Sequence, residues 1–300
     1  MKWNKLGKVF ELESINDELL THTSNPLAVH LKDDTFRVFF SGRDKDNKSS
    51  VGFVDLDIFT KEIKSISSKT TFKYGDEDSF YSHGVSIGNI YTIDDKDYIL
   101  FMGWQIRDEG HWRGDIGRLL LENNETLTLE PKNALMVCDD EDKVSLSYPW
   151  VMHDEGIYKM WYGSTDNWSS SNNEMVHVLK YATSIDGENW EKHGLSIPFE
   201  IGVAQAFSRP TVFKDYDGYH MWFSYRSGDG TKYRIGYAHS SDGFKWDRKK
   251  DSGIDVSING WDSEMICYPF VFNHKEKKYM LYNGNDYGKS GFGLAILEDD

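Results

Sequence analysis

The sequence predicts an all-β protein, a five-bladed β-propeller with four-stranded blades whose last blade is closed by the N-terminal strand. Two observations lead to this prediction. A phrase of short strands across residues 208–246 returns across residues 147–190, and weaker copies open at residues 25, 83 and 268. The equivalent positions 26, 84, 149, 210 and 269 lie 58 to 65 residues apart. An ordinary pair of β-sandwiches, the alternative fold, gives no reason for such a period.

The strands follow from alternating apolar residues bounded by turn residues. In the first unit we expect strands at 27–31, 36–41 and 51–56, with an outer strand in 58–72 and a turn at Asp33–Asp34. The last unit has three strands, at 268–273, 278–283 and 292–297, so the isolated strand at 8–12 is expected to complete it. The predicted blades are about 23–75, 80–131, 145–194, 205–250 and 262–298 plus 8–12, in a single domain.

The repeated pattern Ser-x-Asp-Gly-x-x-Trp, at 184–190 and 240–246, is interpreted as structural. Glycine adopts positive φ at little cost, so Asp-Gly predicts the turn into an outer strand. The tryptophan is then expected to cover the gap between neighbouring blades. The pattern resembles the Asp boxes of sialidases, but its Asp–Gly spacing is one residue shorter.

Composition narrows the function classes. The net charge of −15 argues against nucleic-acid binding, which needs a basic face. Two cysteines are too few for a disulfide scaffold, and no segment has the roughly 20 apolar residues that span a bilayer. The N-terminus lacks the apolar run of a signal peptide, so a cytoplasmic protein without a membrane partner is expected. The oligomeric state stays open.

Propeller geometry selects a candidate site. The start of each first strand and the end of each second strand lie on one face, so their side chains converge on a central funnel, a usual place for a small ligand. The expected ligand is a saccharide or sugar derivative. The predicted substrate-binding residues are Asn25, Arg43, His83, Trp104, Arg107, Tyr148, Arg209, Arg226, Tyr268 and Asn285.

Arginines concentrate on this face. The planar guanidinium suits carboxylate or phosphate, so the cluster favours an anionic ligand such as a uronate, a sialic-type acid, a sugar phosphate or a nucleotide sugar. The alternative is that each arginine pairs with a nearby acid, for example Arg43 with Asp44 or Arg107 with Glu109.

Carboxylates near the same face are candidates for hydrolysis. A glycosidase needs two carboxyl groups, about 5 to 9.5 Å apart depending on mechanism. Glu264 with Asp44 or Asp166 is the predicted catalytic pair, and the alternative is that each acid caps a loop or forms a salt bridge. No His-x-x-x-His or Cys-x-x-Cys spacing indicates zinc, and no cofactor is predicted; a structural Ca²⁺ in the channel is left open.

The blade phrase, with Gly-x-Tyr-x-Met-Trp at 156–161 and Asp-Gly-x-x-Trp at 242–246, resembles that of the five-bladed glycoside hydrolases, which include arabinanases, β-xylosidases, invertases and levansucrases. The resemblance covers all five units. It implies an Asp before the first-blade Pro, an Asp before the third-blade Pro and a Glu near the fourth-blade strand start. This chain has Asn25, Tyr148 and the Ser208–Arg209 pair at those places.

Two interpretations follow. In the first, the protein acts on a glycosidic bond of a small, anionic saccharide with carboxylates at new positions. In the second, it is a non-hydrolytic propeller that binds a glycan or a nucleotide sugar in polysaccharide metabolism. Asn25 cannot act as a general base, so the family mechanism does not transfer unchanged.

Overall fold

The computed structural model describes residues 1–107, 110–228 and 230–298. The regular secondary structure of this part of the chain is β-strand apart from one short helical turn, which confirms the all-β prediction. The first strands of successive groups, in chain order, are β2 (Thr21–Lys32), β6 (Gly84–Ile93), β10 (Ser145–Asp154), β14 (Ala206–Asp215) and β18 (Cys267–His274). The second strands are β3 (Thr35–Arg43), β7 (Lys96–Ile106), β11 (Ile157–Asn167), β15 (Gly218–Arg226) and β19 (Lys277–Asn283). The third strands are β4 (Ser49–Asp57), β8 (Trp112–Glu122), β12 (Val176–Ser184), β16 (Arg234–Ser240) and β20 (Phe292–Leu297). The fourth strands are β5 (Ile63–Ile66), β9 (Thr126–Leu129), β13 (Glu191–Leu195), β17 (Asp247–Lys249) and, in the last group, β1 (Trp3–Phe10). A one-turn segment, α1 (Asn285–Gly288), precedes β20.

Each group is a meander in which neighbouring strands pair antiparallel. The N-terminal strand β1 pairs with β20, as expected for the strand that completes the last group, although it occupies residues 3–10 and not 8–12. The predicted outer strand in 58–72 is shorter and spans only Ile63–Ile66. Burial falls from the first strand to the fourth: β14 begins with seven buried residues in succession, whereas β5 has none.

In the second group, the residue equivalent to the first-strand proline of the other groups is Gly88, not residue 84 as the sequence spacing indicated. Gly84 instead forms a single parallel bridge with Ser49 of the preceding group. The backbone N–H of Ile87 donates to Ser41 Oγ at 3.2 Å, just as that of Tyr268 donates to Ser224 Oγ at 2.7 Å. This copy of the pattern reads Ser-Ile-Gly, whereas the other copies end in proline. Without the proline, the sequence alone did not indicate the correct alignment of this strand.

The first strands contact one another in cyclic order: β2 with β6, β6 with β10, β10 with β14, β14 with β18, and β18 with β2. Asn283 joins the last group to the first, because its Oδ1 accepts from the backbone N–H of Asn25 at 2.9 Å and its Nδ2 donates to the Thr23 carbonyl at 2.7 Å. Aromatic side chains fill the space between the sheets. Phe39, Phe101 and Phe223 are fully buried, each contributing about 1.5 to 3 kcal/mol by leaving water.

The Asp-Gly turns have the structural role that the sequence indicated. Gly243 has φ of +76°, and Asp242 Oδ1 accepts from the backbone N–H groups of Phe244 and Lys245. The Gly243 carbonyl accepts from the indole of Trp246 in its own group at 3.0 Å, and from that of Trp161 in the preceding group at 2.7 Å. The turn thus packs one group against another.

Candidate functional site

A cavity of about 280 Å³ opens where the first strands begin. Its wall is polar and aromatic, with serine hydroxyls, aromatic rings, two arginines and one histidine. The residues that line it are Ser24, Asn25, Ser41, Arg43, Ser49, Ser86, Met102, Trp104, Trp112, Ser147, Tyr148, Met175, His177, Ser208, Arg226, Tyr233, Tyr268 and Tyr287.

The meander explains why these side chains meet. In an antiparallel meander the first and third strands run in one direction and the second runs back. First-strand starts, second-strand ends and third-strand starts therefore share one edge of every group. Ser147 lies near the start of the first strand β10, Arg43 is the last residue of the second strand β3, and His177 lies near the start of the third strand β12.

An unusual backbone conformation recurs at the first-strand starts. Asn25, Tyr148, Arg209 and Tyr268, each directly before a proline, have φ of +58°, +31°, +45° and +54°. Non-glycine residues seldom adopt positive φ, and such strain clusters at functional sites. Each of these residues lies in a β-bulge, where the strand has one residue more than its partner. The bulge turns three of these side chains onto the cavity wall.

The two arginines of the wall differ in their surroundings. Arg226 Nη2 donates to Glu174 at 2.9 Å and Nη1 to the Tyr287 hydroxyl at 3.3 Å, while its Nε is buried without a partner. Arg43 has neither a carboxylate within 4 Å nor a side-chain hydrogen bond among the described residues. Its expected partner, Asp44, instead accepts backbone N–H groups from residues 46 and 48. The cavity therefore contains one guanidinium to which no described residue supplies a counter-charge.

His177 is fully buried below the wall. One ring nitrogen lies 2.6 Å from Ser147 Oγ and the other 2.7 Å from Thr165 Oγ1. Burial, with a smaller contribution from the positive charge of Arg226, lowers the pKa of His177 to about 3. Gly163 makes this contact possible, because a Cβ there would lie 2.1 Å from Ser147 Oγ and 2.4 Å from His177 Nε2. A neutral imidazole therefore orients the Ser147 hydroxyl at the cavity.

Aromatic rings form most of the remaining surface. Tyr148 and Tyr268 pack at 5.4 Å between ring centroids, and Tyr233 lies 6.1 Å from Tyr287. Trp104 is fixed by an indole hydrogen bond of 3.0 Å to Ser49 Oγ. Burial raises the pKa of Tyr268 and Tyr233 well above the usual range, so both are neutral phenols. Ring faces and neutral hydroxyls suit a polyhydroxylated ligand.

Besides Arg226 Nε, a second polar atom of the wall lacks a hydrogen-bond partner among the described residues. Asn25 is 1% exposed, and its Oδ1 makes no hydrogen bond within the protein. A buried carbonyl-type oxygen without a donor costs about 1 to 3 kcal/mol. A ligand hydroxyl or amide is the natural donor for it.

The predicted residues divide into two sets. The cavity brings together Asn25, Arg43, Trp104, Tyr148, Arg226 and Tyr268. It does not include Glu264, Asp44, Asp166, His83, Arg107, Arg209 or Asn285.

Among the residues that the structure describes, no aspartate or glutamate lines the cavity. The side chain of Glu264 is 59% exposed and pairs with Lys232, whose hydrogen bond lowers the Glu264 pKa. Asp166 is exposed beside Asn167, and the Asp44 carboxylate accepts a hydrogen bond from a backbone N–H of its own loop. These surroundings are those of solvated or loop-capping acids.

Arg209 lies behind the wall, fully buried. Its guanidinium donates to four backbone carbonyls, those of Tyr268, Pro26, Asn25 and Gly88, at 2.8 to 3.2 Å. Burial lowers its pKa to about 9. Arg209 is therefore a cationic centre that joins β14 to three other first strands.

The remaining three predicted residues lie at the margins. His83 packs 6.0 Å from Trp104, and burial, followed by the charge of Lys48, lowers its pKa. Asn285 accepts two backbone N–H groups, those of Glu264 and Met265, and so fixes that loop. Arg107 is exposed, and its predicted partner Glu109 lies outside the described residues, as does Asp108.

Twelve of the lining residues escaped the sequence analysis, and four of these carry an aromatic ring or an imidazole: Trp112, His177, Tyr233 and Tyr287. The first three lie at or next to third-strand starts, which share the edge with first-strand starts; a rule that included third strands selects them. Tyr287 lies on α1, where Asp286 and Tyr287 have φ of +53° and +59°. No sequence pattern indicates that conformation.

Solved structures with a similar fold include several glycoside hydrolases. A glycosyl hydrolase from Bacteroides ovatus has a TM-score of 0.73 at 14% identity, covering 99% of this chain and 93% of that one. A second glycoside hydrolase has a TM-score of 0.73 at 12% identity, also with coverage of 99% and 93%. A solved structure from the GH130 family of mannoside phosphorylases, a family that contains glycoside hydrolases targeting β-1,2 mannosidic linkages in Candida mannan, has a TM-score of 0.68 at 14% identity. The match covers 94% of this chain and 85% of that one. The resemblance to propeller glycoside hydrolases is thus confirmed for the fold.

The described residues contain no helix long and apolar enough to cross a membrane. No protein-family model matches the chain. Two curated proteins of Mycobacterium tuberculosis, Uncharacterized protein MT1551 of strain CDC 1551 / Oshkosh and Uncharacterized protein Rv1502 of strain ATCC 25618 / H37Rv, are each 40% identical over 302 residues, covering 100% of both chains. The chain belongs to the same family as these two mycobacterial proteins.

Proposed function

We propose that the five groups are the blades of a five-bladed propeller, one domain over residues 1–300, and that its central cavity binds an anionic saccharide without hydrolysing it. The cyclic contacts of the first strands support the blade count. The bonds of Arg209 to carbonyls of β2, β6 and β18 support a common centre. The blades are those given by the sequence, about 23–75, 80–131, 145–194, 205–250 and 262–298 plus the N-terminal strand.

The observation that carries the ligand class is Arg43, which pairs with no acid in the described part of the chain and lies on a wall of aromatic rings and hydroxyls. A guanidinium without a counter-charge, in a chain of net charge −15, favours a carboxylate or phosphate group. The cavity of about 280 Å³ is near the lower end of the usual range for small-ligand sites, so it fits one or two sugar units. The unpartnered Oδ1 of Asn25 provides an acceptor for a sugar hydroxyl.

The composition of the wall supports binding over hydrolysis. Both usual mechanisms of glycosidic hydrolysis place two carboxyl groups beside the scissile bond. The described lining residues offer none, and Asn25, which stands where the resembling enzymes have an Asp, is not ionisable. Ser147 with its neutral His177 does not replace an acid, because an imidazole with a pKa of about 3 is a weak base at neutral pH.

The test compares acidic ligands with their neutral counterparts. Isothermal titration calorimetry measures the preference for acidic ligands. The matched pairs are glucuronate with glucose and galacturonate with galactose; the further ligands are N-acetylneuraminate, sugar phosphates, nucleotide sugars and inorganic phosphate. We expect micromolar to millimolar binding of at least one acidic sugar and at least tenfold weaker binding of its neutral counterpart. Arg43→Gln is expected to remove most of that difference, whereas Arg248→Gln on the outer strand β17 leaves it unchanged. Equal affinity for neutral and acidic sugars contradicts the proposal.

Hydrolysis is the second candidate, because the named structural neighbours include glycoside hydrolases. On this hypothesis Glu264 with Asp44 or Asp166 supplies the carboxyl pair. Product detection after long incubation with aryl glycosides and oligosaccharides, neutral and acidic, decides between the two. Turnover that Glu264→Gln abolishes, with ligand affinity retained, supports hydrolysis; absence of product from every substrate supports binding alone.

A further inference from the structure

A second cluster of functional side chains lies at the other end of β14. Asp215 ends that strand, Asp217 forms the turn into β15, and His220 and His239 lie opposite each other on β15 and β16. From Ser208, which lines the cavity, to Asp215 the strand continues for seven residues, or roughly 23 Å at about 3.3 Å per residue. The cluster is therefore separate from the saccharide site.

Its ligand-type atoms converge. His220 Nε2 lies 2.9 Å from one carboxylate oxygen of Asp215 and 2.9 Å from one of Asp217. The nearest ligand atoms of Asp217, His220 and His239 all lie within 4.8 Å of one another. Two carboxylates at one imidazole nitrogen repel each other unless positive charge lies between them. The arrangement suits a cation held jointly by nitrogen and oxygen.

The surroundings orient the histidine for such a role. The other ring nitrogen of His220, Nδ1, lies 2.6 Å from the Tyr237 hydroxyl, and the ring lies nearly parallel to those of Trp222 and Tyr237, with centroids 6.2 and 6.0 Å away. Histidines that bind metals generally use their second nitrogen in a hydrogen bond that fixes the ring orientation. Lys278 is the nearest competing cation, with its Nζ 3.7 Å from the other carboxylate oxygen of Asp215.

We propose that Asp217, His220 and His239, with Asp215 as the fourth ligand, bind one Zn²⁺ ion. Mixed imidazole and carboxylate ligands favour Zn²⁺ over Ca²⁺ and Mg²⁺, which prefer oxygen alone. In a tetrahedral site with bonds of about 2.0 to 2.1 Å, ligand atoms are roughly 3.3 Å apart. The Asp–His220 contacts lengthen by a few tenths of an ångström, and the His239 ring, whose Nε2 lies 3.0 Å from the Asp217 carbonyl oxygen, moves closer by up to about 1.5 Å. The His220–His239 pair forms across two strands, which is why no His-x-x-x-His spacing indicates it.

The bound ion would connect the β14–β15 turn to β16. It then stabilises the folded state by RT ln(1 + c/Kd), with c the free Zn²⁺ concentration, because the unfolded chain does not hold the four ligands together. Metal affinity and thermal stability are therefore the readouts.

The experiment uses the full chain without a histidine tag, treated with a chelator and dialysed. Zn²⁺ titration by calorimetry is expected to give one ion per chain and a higher Tm, and Co²⁺ to give the visible absorption of a four-coordinate site. His239→Gln and Asp217→Asn are expected to weaken Zn²⁺ binding at least tenfold each. His193→Gln is the matched control, since this exposed histidine contacts only the Thr183 hydroxyl and Tyr181 and Phe244 rings among the described residues.

Tyr237→Phe offers a milder variant should the ligand variants not fold, and it is expected to weaken Zn²⁺ binding about tenfold. No stoichiometric Zn²⁺ binding by the wild-type chain overturns the proposal. So does binding that His239→Gln and Asp217→Asn leave as tight as in the wild type, or a preference for Ca²⁺ or Mg²⁺.

Discussion

The guanidinium of Arg209 donates a hydrogen bond of 2.8 Å to the carbonyl oxygen of Pro26, which lies 183 residues earlier in the chain. The same group bonds three further carbonyls, and none of its partners is a carboxylate. A buried cation surrounded by carbonyl oxygens occupies the kind of environment that a metal ion otherwise fills. Arg209 thus links β14 to β2, β6 and β18 through its side chain alone.

Replacing Arg209 by methionine is expected to lower the free energy of unfolding by roughly 2 to 4 kcal/mol, because several buried carbonyls lose their donor. Urea unfolding at pH 7 measures this change. Arg248→Met, on outer strand β17, is the control and is expected to change the free energy by less than about 0.5 kcal/mol. An Arg209→Met protein as stable as the wild type contradicts the linking role.

Stability is expected to fall with acidification through His177. Its pKa is lowered from 6.5 to about 3 in the folded protein, so between these values the unfolded chain binds more protons. The free energy of unfolding therefore rises with pH across this window and falls as the pH is lowered, with a slope of up to about 1.4 kcal/mol per pH unit. Unfolding in urea at pH 7, 5 and 4 is expected to show a shallower pH dependence for His177→Gln than for the wild type. Parallel curves for the two proteins contradict a neutral buried His177.

Gly163→Ala is expected to disrupt the floor of the cavity. The new Cβ would lie 2.1 Å from Ser147 Oγ and 2.4 Å from His177 Nε2, and overpacking of this kind costs about 1 to 3 kcal/mol. Thermal unfolding measures the loss, and titration with the best acidic ligand measures the effect on the site. Ser147→Ala, which removes the hydrogen bond without a clash, serves for comparison and is expected to be less harmful. Equal effects of the two variants would argue against a steric cause.

Asn25→Asp restores the carboxylate that the resembling glycosidases have before the first proline. If the ligand is the proposed anionic saccharide, the added negative charge repels it and is expected to weaken acidic-sugar binding at least tenfold, about 1.4 kcal/mol. Neutral sugars should bind as weakly as before. Calorimetry with acidic and neutral sugars measures the change. Asn25→Ala, which removes the amide without adding a charge, separates the effect of the charge from that of losing the amide. Unchanged affinity for the acidic ligand in Asn25→Asp contradicts an anion bound next to this residue.

The repeated strands could be located from the sequence because their signals are local. Alternation of apolar residues identified the second strands, and Asp242-Gly243 gave a turn whose glycine indeed has positive φ. The start of the second unit was displaced by four residues, because Gly88 replaces the proline that marks the other copies. The N-terminal strand was assigned to its correct partner, β20, since an unpaired last edge required one.

The sequence by itself determined the composition of the cavity edge: arginines, aromatic rings and Ser-x-Pro starts without the usual carboxylates. Only the tertiary structure decided which arginines reach the cavity. Arg209 has the same bulge position as Tyr148 and Tyr268, but its guanidinium lies behind the wall because four backbone carbonyls accept its hydrogen bonds there. The tertiary structure likewise decided that Glu264 faces solvent and that His220 meets His239, since contacts across strands depend on register, and register arises from the packing of the whole chain.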